Sequence, residues 1–163
     1  TLVERIGDGG FGVKEGVYEF KPTYMPEGMT TAQARESLKA IKAAAPSYGV
    51  FDVATLGNFV RGLSDDAKKA VAPINNVQDA KSRPVAQFQV LGTRDNLIKP
   101  EPWQAYVKAL QDKGHKAVLV MVQDAGHAFF DWKPDQRTKD TFAKYGVPYA
   151  KQMKEFFNEV FYK

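Results

Sequence analysis

Hydrophobic positions follow two rhythms along the 163-residue chain, and they change near residue 84. From Ala117 to Val122 apolar residues run without a break, as expected of a parallel strand covered on both faces. Val85 to Leu91, bounded by Pro84 and Gly92, is predicted as a second strand. Between them Trp103, Tyr106, Val107 and Leu110 recur at helical spacing, so a helix is predicted from Glu101 to Lys113, stopped by Gly114. A last helix is predicted from Val147 to Phe161, with Tyr149, Met153, Phe156, Phe157 and Val160 along one side. Strand, helix, strand, loop, helix in that order implies a right-handed parallel crossover and an α/β sheet.

Residues 1–83 are less regular. Thr30 and Gln33 have the spacing of a capping box, opening a helix expected to bury Leu38 and Ile41 and to end near Pro46. Ser64 can cap a second, short helix whose first turn carries Asp65 and Asp66, where the helix dipole favours acids. Few stretches in this half alternate as strands do, so it reads as an irregular, partly helical region before an α/β core at 84–163. Two parallel strands alone leave both edges unpaired. The rest of the sheet is therefore expected in sequence outside this chain.

Composition narrows the function. Hydrophobic residues at 44% and charged residues at 26% are ordinary globular values. The net charge of +4 is scattered rather than clustered, which argues against a nucleic-acid partner. Without cysteine there is no disulfide framework, thiolate metal site or Cys nucleophile. The two histidines, His115 and His127, lie in different predicted elements without metal-ligand spacing, so no metal and no cofactor is expected. No apolar run has the length of a membrane span, and no membrane partner is expected. The first residue is Thr rather than Met, as in a processed, truncated or recombinant chain, and nothing in the sequence indicates a compartment.

Candidate chemistry sits where the two strands end. Asp95 lies in Gly92-Thr93-Arg94-Asp95, just after the first strand, and His127 in Asp124-Ala125-Gly126-His127-Ala128-Phe129-Phe130, just after the second. An Asp after a strand is common turn chemistry, and a lone loop His is commonly a surface residue. Together, in this order and about 32 residues apart, they have the layout of an acid–base pair for activating a hydroxyl nucleophile. His115, after a helix-stopping glycine, is expected at the surface, and Trp103 in the core. Phe129, Phe130 and Trp132 follow the histidine and can either wall an acyl or alcohol pocket or pack in the core.

The stretch Leu91-Gly92-Thr93-Arg94-Asp95-Asn96-Leu97-Ile98-Lys99-Pro100, the helix after it and the Gly126-His127-Ala128-Phe129 turn resemble the closing part of an α/β-hydrolase. The resemblance is to the dienelactone-hydrolase-like and prolyl-oligopeptidase-like esterases and covers about the last half of the chain. It implies a carboxylic ester or related acyl substrate, with His127 as general base and Asp95 as its orienting carboxylate. In that family both face a nucleophile on a sharp turn after an earlier strand. Residues 1–83 then correspond to the cap or lid region inserted before the strand that leads to the acid.

The nucleophile departs from the pattern, because no Gly-x-Ser-x-Gly occurs. Ala45-Pro46-Ser47-Tyr48-Gly49 approaches it, but Ser47 is expected to follow a helix, whereas such an elbow follows a strand. Gly7-Asp8-Gly9-Gly10-Phe11-Gly12 fits a glycine-loop spacing without the flanking strand and helix that phosphate binding requires, and reads as a turn. Thr1 as an amino-terminal nucleophile is a minor alternative. The expected partner is accordingly the nucleophile-bearing N-terminal half of the same enzyme, as a second chain or missing segment. A different class of reading is a non-catalytic, hydrolase-like binding subunit.

Overall fold

The computed structural model describes residues 27–30, 33, 36–37 and 40–163. Three parallel strands form one sheet in the order β1-β2-β3: β1 is Ala43–Ala44, β2 Ala86–Gly92 and β3 Ala117–Val122. Gln87 to Gly92 pair in unbroken register with Ala117 to Val122, while β1 pairs only Ala43 with Ala86 and Ala44 with Gln87. From Ala43 onward the α-helices are α1 (Asp65–Val71), α2 (Pro100–Asp112), α3 (Gln136–Thr141) and α4 (Val147–Tyr162). Val53–Val60 and Pro73–Asn76 are 3-10 helices, and Phe142–Gly146 joins α3 to α4 in π geometry. Helices therefore flank a parallel sheet, as the hydrophobic pattern predicts.

Both faces of β2 are buried, even though Ala86 to Val90 alternate apolar with glutamine. On one face Ala86, Phe88 and Val90 pack with Phe129 and with Tyr149 and Phe156 of α4. On the other, Leu91 packs with Trp103, Tyr106 and Leu110 of α2 and with Phe51. The Phe51 ring stacks on Tyr106 at 4.1 Å between centroids and meets Trp103 edge-on at 4.7 Å. Fully burying one such side chain contributes about 1.5–3 kcal/mol, so the crossover helix is fixed by its apolar stripe. Gln87 and Gln89 also lie inside; the Tyr106 hydroxyl and Gln89 Nε2 both donate to Gln87 Oε1.

The predicted caps form. Thr30 and Gln33 bond reciprocally, and Ser64 Oγ accepts from the Ala67 amide at 3.2 Å. Three expectations need correction. The helix opened at Thr30 does not reach Pro46: the chain turns at Ala40, and β1 follows at once. The first half therefore does add a strand to the sheet, and Ser47 follows that strand rather than a helix, bridging Val90 of β2. Ile41 is partly buried, and Leu38 lies outside the described residues. His115 is not at the surface; it is 9% exposed. Its Nδ1 accepts from the Val85 amide at 3.2 Å, leaving Nε2 to donate to the Gln78 carbonyl at 2.8 Å. This histidine anchors the entry to β2.

Candidate active site

The C-terminal ends of β2 and β3 are stitched together residue by residue. The Thr93 amide donates to the Val122 carbonyl, the Arg94 amide to the Ala125 carbonyl, and the Asp124 amide to Thr93 Oγ1 at 2.8 Å. Arg94 and Asp124 close an exposed ion pair at 2.9 Å. Gly92 is what permits this approach: a Cβ there would lie 2.2 Å from the Ala125 carbonyl oxygen. Only glycine leaves room for the two strand ends to meet.

This stitching brings Asp95 and His127 together. The Asp95 side chain is fully buried, and Oδ1 accepts from the Leu97 and Ile98 amides, both at 2.9 Å. Oδ2 meets His127 Nδ1 at 2.8 Å. With the carboxylate ionised, Nδ1 must carry the proton, which leaves Nε2 as a lone-pair base. No hydrogen bond to Nε2 is found among the described residues, and the imidazole is 30% exposed. Asp124 and Ala128 flank the histidine closely with φ of 61° and 59°, a left-handed backbone uncommon outside glycine. Such strain is characteristic of loops that aim a functional side chain.

A residue that periodicity does not reveal completes the support. Tyr48, just beyond β1, has φ 54°, and its ring lies 5.3 Å from the His127 ring and 5.6 Å from that of Phe129. Its hydroxyl accepts from the Phe130 amide, so the segment after β1 braces the histidine loop. Burial pushes the Tyr48 phenol well above its ordinary pKa, against the opposing effect of the Phe130 bond, and keeps it protonated. Ser47 turns elsewhere: its Oγ lies 3.4 Å from the Tyr149 hydroxyl.

The three aromatic candidates separate. Phe129 is 1% exposed and meets Tyr145 and Tyr149 edge-on, while also lining a cavity of about 350 Å³ beside His127. Phe130 is half-buried against Tyr149 and Phe142. Trp132 is 61% exposed. Thr1 and the Gly7–Gly12 run lie outside the described residues. Among those described, no cluster of acidic residues and histidines could hold a metal ion, and no helix is long and apolar enough to cross a membrane.

A family model for the dienelactone hydrolase family matches residues 27–161, most of the chain. The chain belongs to the dienelactone hydrolase family. Among solved structures, this family member is similar to a thermophilic esterase from the planctomycete Thermogutta terrifontis with propionate bound. The identity is 19% over 90% of this chain and 50% of the esterase, with a TM-score of 0.59. The same organism's esterase 2 phosphoramylated by tabun gives 21% identity over 87% and 48%, with a TM-score of 0.58. These likenesses establish the α/β-hydrolase fold, and the chain spans about half the length of the esterases it matches. No curated protein matches the chain.

Proposed function

We propose that this chain supplies the general base and orienting acid of a carboxylic ester hydrolase whose serine-type nucleophile is contributed by a segment outside it. The observation that carries this reading is the His127–Asp95 pair: a fully buried carboxylate fixed by two amides, and an imidazole whose second nitrogen has no hydrogen bond among the described residues. Family membership and the esterase-like fold support an acyl substrate. The half-length match and the absence of a Gly-x-Ser-x-Gly run support a nucleophile beyond these residues.

The geometry supports general-base catalysis. Nε2 of His127 takes the hydroxyl proton as the nucleophile attacks the ester carbonyl, and then returns it to the departing alcohol. Water repeats the cycle on the acyl-enzyme. Asp95 holds the tautomer and stabilises the imidazolium without taking its proton. Tyr48 and the β2–β3 stitching keep the ring in place, so little motion is needed when charge develops.

The test is His127→Ala in the enzyme assembled with its nucleophile-bearing segment, assayed on an aryl acetate. A fall in kcat of about 10³-fold or more is expected. Unchanged turnover would refute the catalytic reading and favour a binding subunit.

A further inference from the structure

We infer that the apolar cavity between the Asp95 turn and the segment after β1 receives the uncharged hydrocarbon part of the ester substrate. The inference rests on the hydrolase reading above and assigns that site its substrate class. The cavity has a volume of about 320 Å³, and its walls include Val50, Phe51, Leu56, Leu97, Ile98 and Trp103. That volume equals roughly ten liquid waters and lies at the lower end of ligand pockets, enough for one aromatic ring or a chain of about six carbons.

Two connections place it in the catalytic unit. Leu97 and Ile98 are the residues whose amides hold Asp95 Oδ1, so one wall is built from the turn that fixes the acid. Gly49, on the opposite wall, directly follows Tyr48, whose ring packs on His127. A group seated there is thus braced by the same two segments that brace the acid and the base.

The lining selects for hydrocarbon. Lys99 is its one charged residue, and it is exposed. Leu97, at 68% exposure, is a large apolar side chain in the wall of an apolar cavity, where a hydrocarbon would remove it from water. The cavity that His127 itself lines contrasts with it: Lys133, Arg137, Asp131 and Thr138 also line that one, and an uncharged chain gains less there. Sequence periodicity gives no hint of the apolar cavity, because its walls come from two segments, residues 49–56 and 97–103, that are more than 40 residues apart.

Hydrocarbon can reach the cavity from either side of the ester bond, and two substrate series separate the sources. Aryl esters from acetate to octanoate vary the acyl chain, and alkyl acetates from methyl to hexyl vary the alcohol. In one series kcat/KM is expected to rise about fourfold per methylene until the cavity is full near six carbons. Thr55→Phe, narrowing the mouth, and Leu97→Ser, on the wall, should each lower the six-carbon to two-carbon ratio of kcat/KM at least tenfold in that series. Both positions are exposed, so folding should tolerate either change, and two variants guard against one failing. A flat profile in both series, or a ratio unmoved by both variants, overturns the inference while His127→Ala still abolishes turnover. Turnover that survives His127→Ala contradicts the hydrolase reading itself.

Discussion

The turn that holds Asp95 and the loop that holds His127 lie side by side, yet they are built in opposite ways. The acid is fully buried, and its carboxylate accepts from two backbone amides and the imidazole. The base is partly exposed, with one nitrogen held and the other without a hydrogen bond among the described residues, on a loop whose neighbours adopt left-handed backbone. Each arrangement suits its role. A group that only orients charge can be locked away, whereas a group that exchanges protons must reach the reacting atoms. The Asp95 carboxylate takes both its amide donors from within three residues of itself. The base loop depends on distant support from Tyr48, across 82 residues, and from Gly92 of β2.

That difference is open to attack at its joints. Gly92→Ala should do the most structural damage, because the added methyl meets the rigid Ala125 backbone and must force the strand ends apart. A loss of about 1–3 kcal/mol in stability is expected, together with loss of turnover, since the acid and base no longer meet. Chemical denaturation alongside the aryl acetate assay reads both. Wild-type values for this variant would mean that the close approach does not position the pair.

Tyr48→Phe should act more gently and on the base side alone. It keeps the ring against His127 but leaves the Phe130 amide without its acceptor, costing about 1–3 kcal/mol. A several-fold fall in kcat with little change in KM would mark it as a positioning residue. The phenol also predicts a pH response. Its folded-state pKa is raised by burial above the ordinary value of 10.0, so the unfolded chain loses this proton first. The stabilising contribution is complete below pH 10 and declines as pH rises beyond it. Burial acts on Tyr149 in the same direction. Alkaline unfolding followed by circular dichroism should therefore begin above pH 10, with a shallower loss in Tyr48→Phe.

The smallest effect is expected far from the pair. Lys116 and Glu159 make a 2.6 Å ion pair at the surface, and Lys116 holds the Glu159 carboxyl below its usual range. Exposed pairs contribute little, so Glu159→Gln should leave both the melting temperature and kcat unchanged within error. A clear loss of activity would mean that long-range charge, rather than local geometry, sets the site.

Much of this was legible because the informative signals are local. β3 and α2 follow from an unbroken apolar run and a helical stripe, and α4 from the aromatic side that begins at Tyr149. The Asp95–His127 pair was legible because each residue ends a recognisable strand. β1 was not, since two alanines carry no alternation and are made a strand only by pairing with β2. His115 was misplaced because its partners, Val85 and Gln78, lie 30 and 37 residues away. Tyr48 is silent in the sequence for a similar reason: neither its positive φ nor its distant hydroxyl contact leaves a trace in local periodicity.

The most direct test of the central claim is a double-mutant cycle on kcat for Asp95→Asn and His127→Ala in the assembled enzyme. If the two residues act as one unit, the double variant should lose about as much as His127→Ala alone, because the carboxylate has no role without the imidazole. Losses that multiply would show that Asp95 acts independently of His127 and contradict the account.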